Sequence, residues 1–433
     1  MRKHLTMGCV LLVTGLGACD TSVKIEGSKR WVVGQRVTLE QQHGEAFTPN
    51  DFTLTDSAGR AYPHSDPKLD YLWVDETEIR FTVPQGIPAG TTTISVGADS
   101  GGPYVFDVEV VRLFGVLDVS GGLSFYGLDD PDRQYASYQV GVGQGYVTLS
   151  WEGDRLIAVA AATGEIHFLE VTSNSLTPFA PSVVLDIPLG RGALLDRGAV
   201  VASNEGVGYI VQLPNGVLEL DVWLQTGAVS AVSAAPRFDR AVAAGVAGDA
   251  TAPVNVMYRI DASVSPPDLV EPDGVLIGGT VNGVTDVIMT PDGVLGIAVN
   301  NLDDALTDVI FEAASPTPTQ RDLPAEDIGA RRLVVDAESQ WLAVLCEISK
   351  TVAVYALNQG GIAHSASLLA DPRVVETDLA QAPVDAGFAP GGLLYVLLAD
   401  GAVSEIDLGV VPPATDLLRD TQTNPGTALL IQP

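Results

Sequence analysis

The sequence is poor in basic residues and in charge of any kind. Its 433 residues include 23 Lys and Arg against 54 Asp and Glu, a formal net charge of −31, and charged residues make up only 18% of the chain. A surface on which carboxylates dominate repels a phosphate backbone, so we expect no nucleic-acid partner. The hydrophobic share of 46% excludes wholesale disorder. The length predicts two or three domains.

Cysteine and histidine are also scarce. If an N-terminal signal is removed and Cys19 is modified, only Cys346 remains a free thiol, so no intramolecular disulfide is expected. Cys346 lies in an apolar run that indicates a buried strand. No two histidines have metal-site spacing, and the G-x-S-x-G elbow of α/β-hydrolases is absent. The sequence therefore predicts no metal, no cofactor and no catalytic residue.

The N-terminus has the features of an export signal. Basic residues precede an apolar run over 5–16, which is shorter than the ~20 residues of a membrane-spanning helix. The run ends in Leu16-Gly17-Ala18-Cys19, which resembles the bacterial lipobox. That resemblance implies cleavage of residues 1–18 and a lipid anchor on Cys19. The alternative is ordinary cleavage with Cys19 as a bystander.

Residues 19–112 are predicted to form a β-sandwich. Apolar and polar residues alternate with the period of half-buried strands, and Pro, Gly and Asn mark the turns between them. Such short, evenly spaced strands are typical of sandwiches. The motifs at 37–47, and above all the segment 83–96, resemble the IPT/TIG family of immunoglobulin-like domains. The resemblance implies a spacer or binding module without catalysis of its own.

Residues 113–433 contain an internal repeat of apolar strands and tight turns. The clearest copies are 285–300, with its Pro291-Asp292-Gly293 turn, and 385–396, and corresponding turns lie at 153, 198, 239, 293, 339 and 392. A fourth strand ends several copies, as at 183–190. The repeat of about 48 residues is that of four-stranded propeller blades. The copies resemble degenerate envelope propellers and the lactonase-like repeat. The fold class is therefore predicted as all-β, a sandwich followed by a β-propeller.

We predict seven blades, with six as the alternative. Three strand-like pieces at 113–119, 123–128 and 138–142 lack an innermost partner, and one piece at the C-terminus, 427–431, lacks any partner. Together they make one blade in which the C-terminal strand lies innermost, beside 113–119. This closure removes two exposed sheet edges. In the six-bladed alternative, 113–146 is a linker and the C-terminus is a frayed tail.

Two long loops form the candidate binding face. In propellers the loops between second and third strands share a face with the connections between blades, and loops on a rigid scaffold commonly carry binding sites. The loops 245–253 and 300–308 belong to neighbouring blades, and their candidate residues are Gly245, Asp249, Asn300, Asp303, Asp304 and Asp308. The acidic groups at 129–132 and 303–308 lack the spacing of a calcium loop, so solvated loops are the preferred interpretation.

The order of the segments favours a cell-envelope lipoprotein with a sandwich stalk and a propeller head. We expect a non-catalytic binding or adhesion module for a protein or glycan ligand, attached to the membrane through its lipid. The outer membrane or cell surface is the favoured location, and the inner membrane is the alternative. The alternatives are a lactonase-like or glycan-cleaving propeller enzyme and an outer-membrane assembly scaffold. Two or more carboxylates or histidines converging on the central channel would favour the enzyme. A broad apolar rim would favour binding.

Overall fold

The structure is a computed structural model, and it describes most of the chain. The described residues are 22–25, 29–43, 46–99, 102–141, 145–150, 153–185, 187–196, 198–204, 206–212, 218–224, 228–235, 238–248, 251–264, 267–270, 273–311, 316–324, 326–357, 375–409, 414–419 and 425–432. Cys19 and Asp249 lie outside them. Among these residues no helix has the length and apolar character needed to cross a bilayer.

The N-terminal part consists of two sheets that share one core. Their strands are β1 (Ser22–Ile25), β2 (Arg30–Val32), β3 (Arg36–His43), β4 (Phe47–Thr55), β5 (Ala61–Pro63), β6 (Leu72–Asp75), β7 (Glu78–Thr82), β8 (Gly90–Ala98) and β9 (Tyr104–Val111), with a 3-10 helix at Pro67–Leu69. The sheet orders are β1-β3-β7-β6 and β2-β9-β8-β4-β5. Trp31, Phe52 and Phe81 are buried between them, with the rings of Phe52 and Phe81 4.8 Å apart. Alternation along each strand thus buries one face of each sheet.

The remainder of the described chain forms seven antiparallel sheets, numbered here I to VII in chain order. Their strands are β10 (Leu113–Asp118), β11 (Gly122–Gly127) and β12 (Gln134–Gln139) in sheet I; β13 (Gly145–Leu149), β14 (Arg155–Ala160), β15 (Glu165–Val171) and β16 (Leu176–Val184) in II; β17 (Leu189–Leu194), β18 (Gly198–Ser203), β19 (Gly206–Gln212) and β20 (Leu218–Leu224) in III; β21 (Ala228–Ala235), β22 (Arg240–Ala247), β23 (Val254–Asp261), β24 (Asp268–Leu269) and β25 (Val275–Leu276) in IV; β26 (Val284–Met289), β27 (Leu295–Asn300), β28 (Ala305–Ile310) and β29 (Pro318–Asp322) in V; β30 (Ala330–Val335), β31 (Trp341–Cys346), β32 (Thr351–Ala356) and β33 (Val375–Asp378) in VI; β34 (Pro383–Ala389), β35 (Leu393–Leu398), β36 (Val403–Asp407) and β37 (Ala414–Arg419) in VII.

The C-terminal strand β38 (Gly426–Ile431) completes sheet I. It pairs antiparallel with β10, with Phe114 opposite Ile431 and Val116 opposite Leu429. The predicted pairing of the C-terminal strand with the segment 113–119 is therefore confirmed. Gly387 on β34 allows the close approach of sheet VII, since a Cβ there would lie 2.6 Å from the Ile431 side chain. The strand thereby joins the C-terminal segment to sheet I, the first sheet of the C-terminal unit.

The innermost strands of the seven sheets contact one another in sequence, and β38 contacts both β34 and β13. A separate cluster of buried apolar side chains fills each space between neighbouring sheets. Between sheets VII and I, for example, Phe114 and Leu429 pack with Leu397 and Val403. Each sheet therefore buries both faces against its neighbours, which explains why its central strands are apolar without alternation.

The two ends of this unit differ. At one end, here called the upper face, turns between second and third strands bond to the connections that lead into the sheets. Examples are Asn301 N to Gly283 O at 2.8 Å and Glu347 N to Gly329 O at 2.9 Å. At the opposite, lower face, Gln432 Nε2 donates to Gly153 O at 3.0 Å in the first turn of sheet II. The upper face therefore carries the turns between second and third strands together with the connections between sheets.

The sandwich joins the lower face. Strand β10 follows β9 after the single residue Arg112. Val32 and Val111 are buried in the same cluster as Leu113, and the Arg30 guanidinium lies 5.6 Å from the centre of the Tyr135 ring on β12. This attachment leaves the upper face uncovered by the sandwich.

Two sequence predictions of outer strands were wrong. The third strand-like piece of the first blade was expected at 138–142, whereas β12 spans Gln134–Gln139. The fourth strand expected at 183–190 is divided between β16, which ends at Val184, and β17, which begins at Leu189. Fourth strands lie at the outer edge and are half exposed, so their sequences lack the apolar pattern of the inner strands.

Candidate functional site

The candidate site is built on a repeated irregularity of the innermost strands. In sheets V, VI and VII the pairing register shifts just after the first residue of the innermost strand, directly before Asp286, Arg332 and Asp385. Sheet III has a similar shift between Leu189 and Gly192, which includes Arg191. Such bulges re-aim a side chain relative to the regular strand. Here they bring charged groups of sheets III, V, VI and VII together between the innermost strands.

Asp286 is at the centre of this cluster, and its side chain is only 2% exposed. Its Oδ1 accepts hydrogen bonds from the Arg191 guanidinium and from Val287 N. Its Oδ2 accepts from Leu333 N of the next sheet at 2.8 Å and lies 3.7 Å from Arg332 Nη1. Asp286 therefore links sheets III, V and VI.

Asp385 repeats this arrangement two sheets further on, in sheet VII. Its Oδ1 accepts from Arg332 Nε at 2.7 Å, and its Oδ2 accepts from Leu429 N of β38 at 2.9 Å. Each aspartate thus accepts a hydrogen bond from one guanidinium group, and each also accepts one from a backbone N–H group of the sheet that follows its own. The cluster contains two carboxylates and two guanidinium groups, which balances its charge in a buried position.

The electrostatics of Asp286 depend on opposing effects. Burial raises the pKa of Asp286 well above its ordinary value, and the backbone N–H groups of Leu333 and Val287 act in the opposite direction. Both oxygens of Asp286 already accept hydrogen bonds, so this carboxylate positions the two arginines and is not a free general base. The guanidinium groups, whose side chains are 16% and 17% exposed for Arg191 and Arg332, are the groups left to meet a ligand.

A cavity of about 130 Å³ adjoins the cluster. Its polar lining includes Tyr146, Thr148, Ser233, Arg191 and Arg332. It is smaller than the ~300–1,000 Å³ of common ligand pockets, so it admits only a small molecule or part of one. Arginine N–H groups recognise carboxylate, phosphate or a developing oxyanion. The chemistry available here is therefore binding and stabilisation of an oxygen-rich or anionic group.

The candidate loop residues have different positions from those expected. Gly245, Asn300 and Asp308 lie within the strands β22, β27 and β28. The prediction that these three residues lie in loops was therefore wrong, because the strands extend further than the sequence indicated. Only Asp303 and Asp304 of the described candidates lie in a turn.

These two turn residues brace the upper face. The Asp303 carboxylate accepts from Thr280 N at 2.5 Å, and Asp304 Oδ1 accepts from Gly329 N at 2.7 Å. Asn255, which follows the other predicted loop, donates to Gly278 O at 2.9 Å. The turn that contains Asp303 and the strand that follows the loop 245–253 therefore both contact the connection between sheets IV and V. Their role in binding stays a prediction.

Two further residues considered in the sequence analysis, Asp308 and Cys346, are buried inside the C-terminal unit. Asp308 is 3% exposed, and its Oδ1 has no hydrogen-bond partner. Cys346 is fully buried in β31, and burial raises the pKa of its thiol to about 12, so it is protonated at neutral pH and unsuited as a nucleophile. Among the described residues no group of His, Cys, Asp and Glu could hold a metal ion.

Sequence reasoning missed all four members of the channel cluster. A signal was present, because Asp286 and Asp385 are the first charged residues of the innermost strands in the two clearest copies of the repeat. Arg191 and Arg332 were not distinguishable from surface arginines. Their convergence depends on how the sheets are arranged around the channel.

The fold and the cluster together define an all-β protein with a propeller-like C-terminal unit. No family model matches the chain, and no curated protein matches it. Among solved structures, the periplasmic gluconolactonase of Pseudomonas aeruginosa aligns with a TM-score of 0.55 over 75% of this chain and 99% of its own, at 15% identity. A Bacteroides uniformis protein described as a candidate 6-phosphogluconolactonase aligns with a TM-score of 0.56 over 74% and 99%, at 12% identity.

A protein with a different description has the same architecture. The β-propeller domain of Cps50 (Swd1) from Myceliophteria thermophila aligns with a TM-score of 0.50 over 71% of this chain and 90% of its own, at 11% identity. At such low identities the similarity shows the fold alone.

Proposed function

We propose that the seven sheets are the blades of one β-propeller closed by β38, and that its channel is the substrate site of a lactonase-like propeller enzyme. The observation that carries this proposal is the pair of guanidinium groups, Arg191 and Arg332, held by buried carboxylates beside a small polar cavity. The similarity to lactonase-like propellers supports it. The convergence of Asp286 and Asp385 on the channel also favours an enzyme over a purely adhesive head.

The reaction is hydrolysis of a small sugar lactone. Water adds to the acyl carbon, the ring C–O bond breaks, the leaving oxygen takes a proton, and the acid product releases one proton to solvent. Negative charge develops on the carbonyl oxygen in the transition state, and preorganised donors stabilise it most. Arg191 and Arg332 provide such donors, while Asp286 and Asp385 fix their orientation.

Proton release on addition of glucono-δ-lactone and its 6-phosphate tests this proposal. We expect hydrolysis above the spontaneous rate, and a loss of about 10²–10³ in kcat in Arg191→Gln or Arg332→Gln. The matched control is Arg331→Gln, because Arg331 is 62% exposed and paired with Glu347 at the surface. A cooperative thermal unfolding transition above the assay temperature would show that each variant is folded, because loss of either arginine breaks a buried ion pair and is itself expected to lower the melting temperature. The proposal would be contradicted if wild-type protein hydrolysed both lactones only at the spontaneous rate. It would also be contradicted if wild type and all variants hydrolysed them at equal rates.

A non-catalytic binding or adhesion head is the second candidate. The observation that favours it is the attachment of the sandwich to the lower face, which leaves the upper face available to a protein or glycan ligand. In this arrangement the sandwich, assigned to the IPT/TIG family by resemblance, is a stalk. A scaffold for outer-membrane assembly would use the same face.

The proposed location is the cell envelope, with the chain anchored through a lipid on Cys19. The resemblance of residues 16–19 to a lipobox supports the anchor. The location is compatible with the periplasmic origin of one structural neighbour. The outer membrane or cell surface is favoured, because the order of anchor, stalk and head directs the propeller away from the bilayer.

A further inference from the structure

Large apolar side chains are unusually exposed on the upper face of sheets IV, V and VI. Ile348 is 70% exposed, Leu276 and Leu302 are each 60% exposed, and Ile328 is 44% exposed. The first three are the most exposed large apolar side chains of the described residues. We call Leu302, Ile328 and Ile348, whose loops are joined to one another, the apolar rim. Contiguous exposed apolar surface is costly in water and marks interaction sites.

The rim residues are connected by hydrogen bonds between their loops. The turn that contains Leu302 is tied to the connection before sheet V by Asp303 and to the connection before sheet VI by Asp304. That second connection contains Ile328, whose carbonyl oxygen accepts from Ser349 N at 3.1 Å.

Ile348 packs directly on the connection that Ser349 contacts. A Cβ atom added at Gly329 would lie 2.6 Å from the side chain of Ile348. Leu302, Ile328 and Ile348 therefore project from braced loops, and a partner meets them without first ordering those loops.

Acidic side chains surround the rim. Asp322, Glu326 and Glu347 are exposed, and they lie in or beside the loops that carry Ile328 and Ile348. Of the basic groups nearby, Arg331 is paired with Glu347 at 2.6 Å, and Lys350 is exposed at the end of the turn that carries Ile348; Asp322 and Glu326 add two further exposed acidic side chains. The whole chain has a net charge of −31. The electrostatic environment of the rim is thus negative.

We propose that the apolar rim docks a protein segment that carries both apolar and Lys or Arg side chains, such as a basic amphipathic helix. The apolar residues of the partner would cover the rim, and its basic residues would meet the surrounding carboxylates. A second copy of this chain and an anionic lipid surface both carry the wrong charge. The sandwich leaves from the opposite face, so a tethered protein would still present the rim.

A fluorescein-labelled amphipathic helical peptide of Leu and Lys tests the proposal, with a twin in which Glu replaces every Lys. The test variant is Leu302→Ser/Ile328→Ser/Ile348→Ser. The matched control is Phe238→Ser/Val264→Ser, which removes two exposed apolar side chains of sheet IV outside the rim. All five residues are exposed, so both variants are expected to keep the wild-type melting temperature. Fluorescence anisotropy measures binding.

We expect the Lys peptide to bind wild type and the control alike, to bind the rim variant at least about tenfold more weakly, and to lose affinity as salt increases. Equal binding by the rim variant would overturn the proposal, as would tighter binding of the Glu peptide. So would self-association of the wild type in sedimentation, or adsorption to phosphatidylglycerol vesicles that the rim variant loses. None of these outcomes depends on turnover in the channel.

Discussion

Arg332 Nε donates a hydrogen bond to Asp385 Oδ1 at 2.7 Å, and this contact joins the innermost strands of sheets VI and VII. The same carboxylate accepts from Leu429 N through its other oxygen, which extends the link to the C-terminal strand of sheet I. Three sheets therefore meet at one buried ion pair. The neighbouring Asp286 makes the equivalent contacts between sheets V and VI.

The first prediction concerns this ion pair. Arg332→Met should lower the free energy of unfolding by about 3–5 kcal/mol, because it leaves the buried Asp385 carboxylate without its cation. In a double-mutant cycle with Asp385→Asn, the combined loss should be smaller than the sum of the single losses by about 0.5–3 kcal/mol. Urea unfolding measures both quantities. Arg331→Met is the control and should change stability by less than about 0.5 kcal/mol; additive losses in the cycle would show that the pair is not coupled.

The second prediction concerns ring closure. A chain that ends at Asn424 lacks β38, whose residues Ala428 to Ile431 are each less than 10% exposed. Each buried Leu or Ile truncation costs about 2–5 kcal/mol, so the loss of Leu429, Leu430 and Ile431 together should be comparable to the ~5–15 kcal/mol that stabilises a typical domain. The truncated protein should show no cooperative unfolding of the C-terminal unit by calorimetry.

A single substitution gives a milder form of the same test. Leu430→Ala should cost about 2–5 kcal/mol, whereas Leu276→Ala, at a side chain 60% exposed, should cost little. A truncated chain with the wild-type melting temperature would mean that β38 contributes nothing to closure.

The third prediction concerns pH. Burial raises the pKa of Asp308 from 3.8 to about 6, while nearby Arg321 lowers it in part. The folded protein therefore binds a proton more tightly than the unfolded chain, and this group's contribution to stability is fully present below pH 3.8 and lost as pH rises to about 6. Asp308→Asn should stabilise the protein above pH 6 by up to about 3 kcal/mol. Urea unfolding between pH 4 and pH 8 measures the difference.

The control for Asp308 is a carboxylate in the same sheet. Asp322→Asn removes an exposed acidic side chain at the end of β29 and is measured at the same pH values. A stability difference between Asp308→Asn and wild type that does not change between pH 4 and pH 8 would refute the shifted titration.

The fourth prediction concerns Cys19, which lies outside the described residues and depends on the sequence alone. Cys19→Ser should abolish labelling by an alkyne-tagged palmitate, because the oxygen of Ser cannot form the thioether. The precursor should accumulate at its full length on a denaturing gel. Cys9→Ser is the matched control and should be labelled normally. Equal labelling of both variants would exclude a lipid anchor at Cys19.

Much of the fold could be predicted from the sequence because inner strands carry strong local signals. The Thr290 to Leu295 turn is an example: Thr290 Oγ1 donates to Asp292 Oδ1 at 2.5 Å, and Gly293 has a φ of 72° that favours glycine. The C-terminal strand was recognisable because an apolar run followed a Pro-Gly turn. By contrast, β12 was misplaced, because an edge strand with a mostly exposed, polar surface has no clear period.

The sequence by itself determined the acidity and the strand period, since composition and short-range periodicity encode both, and its unpartnered apolar run at 427–431 predicted the pairing of the C-terminal strand with 113–119. Only the tertiary structure decided which side chains meet. Arg191 and Asp286 are 95 residues apart, and Arg332 and Asp385 are 53 residues apart, yet they form one cluster. The same applies to the apolar rim, where Leu302, Ile328 and Ile348 come from separate loops. The physical reason is that each residue's local pattern specifies its strand or turn, whereas its neighbours depend on how bulges and sheet order orient it around the channel.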